Sequence, residues 1–302
     1  MSNEAYHTTV LLHEAIEALD IDPNGTYVDA TFGGGGHSFE ILKKLDRGKL
    51  LVFDQDESAR DNLIDDDRLV FIPENFRFMS NFLAFHGVSK VHGVLADLGV
   101  SGHQFDNRER GFSFHGDAPL DMRMSRSQGV SAKELIGKMS LEELVKMLKT
   151  NSDIPKAYGV AKSLLNAHAS NELNTTADLV KCLEPLAPKF KEHKFYAQVF
   201  QAIRIEVNDE LGALKDLLKQ SPALLIPGGR LVLISYHSLE DRLVKNFLRS
   251  GNFTNDQEKD FYGNLIRPFD PVSSKALIPS KEEIDRNTRA RSAKMRTGTR
   301  NG

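Results

Sequence analysis

A chain of 302 residues, 40% hydrophobic and 27% charged, can bury a full core as one large domain or two smaller ones. Its single cysteine, Cys182, excludes a disulfide framework, and a net charge of −3 excludes a globally basic nucleic-acid binder. The first residues lack a signal-length apolar run, and no run approaches the roughly 18 residues of a membrane span, so a cytoplasmic enzyme with no membrane partner is the expectation.

In chain order, short runs rich in Val, Ile, Leu and Phe occur at 26–31 (TYVDAT), 49–54 (KLLVFD), 68–73 (RLVFIP), 91–99 (VHGVLADLG) and 229–237 (GRLVLISYH). Such runs suit strands buried on both faces of a parallel sheet. Helical patterns separate the first four: SFEILKKL, ESARDNLI and FRFMSNFLAFHG. The alternation predicts a doubly wound α/β sheet. It stops near residue 105 and resumes at FQAIRIEVNDELGALKDLLKQ, a helix leading to the fifth strand. Between them, capping-box starts at SAKE (131–134) and SLEE (140–143) predict a helical insertion. The predicted organisation is a discontinuous sheet domain, 1–106 and 200–302, with an inserted helical, substrate-recognition domain at 107–199. The stretch 251–285 reads as irregular surface. From Arg286 onward the chain has six Lys or Arg and no acid, a local polyanion contact or a solvated end.

The first strand runs into Thr31–Ser38, TFGGGGHS. Four glycines bury no side chain and lose the most backbone entropy on ordering, so they suit a turn that a ligand approaches closely. Asp29, Asp54 and Asp97 end the first, second and fourth strands and should share the carboxyl edge of the sheet. Acids there would repel the pyrophosphate of a dinucleotide such as NAD and attract a cationic ligand. S-adenosylmethionine carries a sulfonium, an ammonium and a ribose whose hydroxyls Asp54 could bind. Helix capping is the competing role for Asp29 and Asp54, and the favoured one for Asp56 and Glu57.

The segments HTTVLLHEAIEAL, DATFGGGGHS, FDQD, LADLGVS, ERGFSF, APLDMRM, FQAIRIEVNDEL, PGGRLVLISYHSLEDRLVK and RARSAKMR follow one another from His7 to Arg296. Together they resemble the RsmH (MraW) family of bacterial methyltransferases. The resemblance implies a Rossmann-like class I methyltransferase sheet with a helical insertion. It implies methyl transfer from S-adenosylmethionine to the exocyclic N4 amine of a cytosine in 16S ribosomal RNA, at the decoding region of the small ribosomal subunit. Carried over to matching positions, its cofactor contacts fall on Gly35, Gly36, His37, Asp54, Phe76, Asp97 and Gln104. The chain departs from the family pattern at Gly34, commonly arginine, and at Gly102-His103, commonly Ser-Pro. The oligomeric state is open, a homodimer included.

Cytosine's amine is a poor nucleophile, and an acceptor on its N–H would localise the lone pair; Asp97, or the carbonyls of Asp97-Leu98-Gly99, is the candidate. For the RNA, Phe112 and Phe114 offer stacking, Arg108, Arg110, Arg123 and Arg126 offer phosphate contacts, and Tyr236 and His237 stand at the fifth strand end. In the tail the candidates are Arg289 and Arg291, with Arg296 beside them, although RSAKMR could instead pair as an edge strand. His7, His37 and His115 lack metal-ligand spacing, so no metal is expected. Two other readings stay open at this point, a NAD-dependent oxidoreductase and a non-catalytic RNA-binding protein.

Overall fold

The computed structural model describes residues 9–302, apart from the side chains of His103 and Asp106; His7, where the first quoted segment begins, lies outside the described residues. The chain divides into two compact units. One ends at Gly99 and resumes at Leu211, and the other is Val100–Glu210.

The first unit is built on a seven-stranded sheet of order β3-β2-β1-β4-β5-β7-β6. Its strands are β1 (Thr26–Asp29), β2 (Lys49–Phe53), β3 (Leu69–Ile72), β4 (Val91–Asp97), β5 (Leu225–Ser235), β6 (Phe269–Pro271) and β7 (Lys294–Arg300). The first five are parallel, and β7 runs antiparallel to both β5 and β6. The helices α1 (Leu12–Leu19), α2 (Gly36–Lys44) and α3 (Met79–Phe85) come from the N-terminal half. Two apolar layers enclose the sheet, because its strands carry apolar side chains on both faces. Val28, Leu51, Phe53, Val94 and Leu233 belong to one layer, and Tyr27, Leu50, Val52, Leu95 and Val232 to the other.

The second unit holds α4 (Gly102–Asp106), α5 (Ala132–Lys138), α6 (Leu141–Asn151), α7 (Ala157–Ala169), α8 (Thr176–Leu183) and α9 (Glu192–Asn208). Ser131 and Ser140 form the capping boxes their sequences predict, and Thr175 forms a third. Its separate core includes Ile136, Leu144, Leu148, Val160, Leu179 and Ile203. The unit is wider at both ends than the predicted 107–199: Val100 packs against this core at one end, and α9 buries Ala202 and Ile203 in it at the other.

Four other local readings change. ESARDNLI yields a 3-10 turn, Glu57–Asn62, in place of an α-helix, capped by Asp56. The single helix expected before β5 is two, α9 and α10 (Glu210–Leu224), because Asp209 turns left-handed at φ 46°. The stretch 251–285 contains β6 and part of α12 (Lys281–Arg286), and RSAKMR enters β7, which is internal to the sheet, not an edge. Cys182 is a free, half-buried thiol.

Candidate functional site

Asp29, Asp54 and Asp97 lie at the carboxyl ends of β1, β2 and β4, three adjacent parallel strands. In open α/β sheets this edge, where strand order reverses, is where ligands bind. Local chemistry holds each acid in place. Asp29 is 1% exposed and accepts from Ser38 Oγ (2.6 Å) and from the Thr31 N–H (3.0 Å), which clamps the start of the glycine turn to the first turn of α2. Asp54 accepts the Gly33 N–H on Oδ2 and the Asp56 N–H on Oδ1, both at 2.8 Å. Asp97 accepts from the Tyr236 hydroxyl on Oδ1 at 2.7 Å, while its own N–H donates to Thr31 Oγ1 at 2.7 Å.

Burial decides the ionisation of this edge. It pushes Asp54 up to about 6, against the lowering effect of the Asp56 and Gly33 N–H groups. It pushes Asp97 up to about 7, with the Tyr236 hydroxyl lowering it and Asp29 and Glu240 adding repulsion. Burial and the neighbouring Asp97 carboxyl drive the Tyr236 phenol well above its usual value. Three carboxyls that strain to ionise in a shared apolar edge attract a cation, since positive charge relieves both desolvation and mutual repulsion.

The glycines divide by role. Gly35 is left-handed (φ +79°), and a Cβ there would run into the Phe39 ring. A Cβ on Gly36 would strike the Thr9 hydroxyl. Gly34 has nothing within 4 Å of a built Cβ and an ordinary φ, so neither backbone conformation nor a clash at Cβ requires glycine there. Gly35 opens α2 as its N-cap, directing the free N–H groups of the first helical turn to the same edge. His37, 5% exposed, meets the Val10 carbonyl at 3.1 Å through Nε2 and ties the helix start to the N-terminal segment. Phe76 follows β3 on a 3-10 turn, half-buried against the core, with the Gln220 side chain donating to its carbonyl. Asn75 beside it donates to Gln55 Oε1 at 2.9 Å, joining that turn to the Asp54 strand end.

Sequence reasoning missed Glu240 and Thr31. Glu240, on α11 (Ser238–Ser250), is 3% exposed; its Oε2 accepts the Tyr236 N–H at 2.9 Å and its Oε1 lies 3.2 Å from His237 Nε2. His237 is the N-cap of α11, its Nδ1 facing the Glu240 N–H at 3.4 Å. The spacing of a capping box, Glu three residues after the cap, was the available signal; histidine in the cap position concealed it. Tyr236 and His237 therefore serve the strand end itself, through Asp97 and Glu240.

In the second unit, two of the RNA candidates prove to be interior. Arg110 is 4% exposed and donates to the Arg123 and Met124 carbonyls (3.0 and 2.7 Å), so its guanidinium braces a loop instead of facing phosphate. Phe112 is 5% exposed within the unit's core. Arg123 is held in a two-point pair by Asp121 (2.6 and 3.0 Å). Phe114 is half-buried among His115, His193, Tyr196 and Phe200. Gln104, 5% exposed, caps α4 by accepting the Ser101 N–H at 3.1 Å. In the tail, Arg289 and Arg291 are exposed on the 3-10 turn Thr288–Ser292, whereas Arg296 is bound to Asp241 at 2.6 Å within β7.

The model of the MraW methylase family matches residues 4–301. Among similar proteins, the Ribosomal RNA small subunit methyltransferase H of Amoebophilus asiaticus is 50% identical over 300 residues, covering 99% of this chain and 97% of that one. The proteins of that name from Christiangramia forsetii and Cytophaga hutchinsonii are each 52% identical, over 292 and 297 residues, covering 96% and 98% of this chain and 96% and 99% of theirs. The sheet is accordingly the Rossmann-like, doubly wound sheet of class I methyltransferases. Identity at this level along nearly the whole length places the chain in the MraW methylase family.

Proposed function

We propose that this protein is an S-adenosylmethionine-dependent methyltransferase acting on the N4 amine of a cytosine in 16S ribosomal RNA, in the decoding region of the small subunit, in the cytoplasm. The observation that carries the donor assignment is the convergence of Asp29, Asp54 and Asp97 on a glycine turn with open space at Gly34. These residues fit a ligand with two positive centres and ribose hydroxyls, and they would repel a pyrophosphate. The rRNA assignment comes from family membership.

Asp54 would hold the ribose hydroxyls, retaining lone pairs beyond those given to Gly33 and Asp56. Gly35 and Gly36 bring the backbone close, and Phe76 borders the neighbouring strand end. Bound there, the donor supplies an electrophilic methyl carbon on a sulfonium. The attacking atom is the cytosine N4, whose lone pair forms the new N–C bond as the C–S bond breaks and its electrons return to sulfur. Asp97 contributes by orientation: Tyr236 fixes Oδ1 and leaves Oδ2 to accept an N–H of the amine. That contact strengthens as positive charge builds on nitrogen, so it stabilises the transition state more than the ground state. The proton leaves once the amine is methylated and acidic; with a value of about 7, Asp97 is matched to take it near neutral pH.

The test is incubation of the protein with labelled donor and small subunits from a strain lacking the gene, followed by nucleoside mass spectrometry. N4-methylcytidine is the expected product. Label in another base, or none, refutes the assignment.

A further inference from the structure

In the second unit the loop before α9 reads PKFKEHK over 188–194. Phe190 is 95% exposed, and its backbone is left-handed at φ 64°, a region that disfavours bulky residues. The loop is nevertheless well built. Glu192 Oε1 accepts the Phe190 N–H at 3.0 Å, the Lys191 N–H reaches the Pro188 carbonyl at 3.1 Å, and α9 starts at once. Strain of this kind persists where the surroundings enforce it, and it concentrates at ligand-binding positions. Lys189, Lys191 and Lys194, before and after Phe190 in the chain, are exposed, and the one acid between residues 185 and 200, Glu192, is committed to the backbone. His193, exposed in the first turn of α9, belongs to a separate aromatic cluster: its ring lies 5.8 Å from both Phe114 and His115, which are 4.3 Å apart.

We propose that the Phe190 loop is a single-stranded RNA contact: Phe190 is a platform for one unpaired base, and Lys189, Lys191 and Lys194 neutralise the flanking phosphates. This deepens the RNA reading above and rests on it. An exposed aromatic ring followed and preceded by cations matches a base with its two phosphates, since base–aromatic stacking needs one flat face and tolerates any base. A protein partner would instead call for a contiguous apolar patch. Duplex RNA offers no splayed base to stack.

The chain has no tryptophan, so Phe190→Trp creates a single reporter at the platform. Its emission should be quenched by a single-stranded oligoribonucleotide at low salt and left unchanged by the matching duplex. Phe190→Gly removes the ring and relieves the backbone, so its thermal midpoint should equal or exceed the parent's. Its affinity for 16S RNA should fall about 5- to 100-fold, with donor affinity unchanged. Replacing the three lysines by glutamine should reduce the slope of log affinity against log salt by about two units. Absence of quenching, or an unchanged RNA affinity in a folded Phe190→Gly variant, overturns the proposal. Weaker binding of Phe190→Gly to intact subunits, with unchanged binding to protein-free 16S RNA, also overturns it and points to a ribosomal protein. These binding readouts do not depend on the methylation product, so failure of the cytosine assignment and failure of this one are separable.

Discussion

Asp54 and Asp97 meet the same burial with different partners, and the difference sets what each substitution should do. Asp54 is bound by two N–H groups and offers its remaining lone pairs outward, so Asp54→Ala should weaken donor binding by roughly 1.5–3 kcal/mol per charge-assisted bond lost, as read by calorimetry. It should also loosen the turn through Gly33. Asp97→Asn keeps the acceptor for Tyr236 but not the charge; turnover should drop far more than donor affinity, and equal turnover at saturating donor would remove Asp97 from the chemistry. Both acids titrate above their unfolded values, at about 6 and about 7. Their contribution to stability is therefore fully present below the unfolded value near 4 and is lost as pH rises through 6–7. Asp97→Asn should accordingly gain on the parent in urea unfolding as pH increases, by roughly 1–4 kcal/mol at pH 8. A cationic donor reverses the trend for binding. Its affinity should rise between about pH 5.5 and 8 with net proton release, measurable by calorimetry in buffers of different ionisation enthalpy.

At the scale of elements, the glycine turn is a joint between β1 and α2 whose members are not equivalent. Gly34→Ala should fold normally and bind donor within a few-fold of the parent, because a methyl there meets nothing. Gly35→Ala combines a left-handed backbone with a collision on Phe39, and should lose roughly 1–3 kcal/mol of stability together with donor binding. Thermal melts and calorimetry on the pair check this; similar behaviour of the two would show that the turn adapts as a whole. The start of α11 is a second joint. Glu240 holds the Tyr236 N–H and the His237 cap, and so aims the hydroxyl that orients Asp97.

At the scale of the molecule, an acidic protein must hold a polyanion through local cations. Arg289 and Arg291 are exposed on the tail, and their replacement by alanine should flatten the salt dependence of subunit binding by between one and two units, with folding intact by circular dichroism. Arg296→Ala should behave differently. It breaks a largely buried pair with Asp241 inside a seven-stranded sheet, so its effect should be a lowered melting temperature. A variant removing all three would mix the two effects and could not locate the RNA surface.

The alternation of apolar runs with helical patterns, the glycine turn and the strand-end acids were legible in order along the chain. They follow from local periodicity and from backbone demands that only certain residues satisfy. That the acids share one edge also followed, because parallel strands joined by right-handed crossovers carry their carboxyl ends together. Which cations are buried and which reach the surface was not legible. Arg110 reads like Arg289 in a string of letters, yet one braces two carbonyls in a core and the other is exposed, a distinction set by residues far away in sequence. Likewise Tyr236 and Asp97 are 139 residues apart, and only closure of β4 on β5 brings hydroxyl to carboxylate. Phe190 shows the converse: its letter suggests core, yet it stands 95% exposed on a left-handed backbone. Sequence determined the framework because secondary structure answers to near neighbours; the tertiary structure decided the roles of single side chains, because burial and pairing are properties of distant segments brought together.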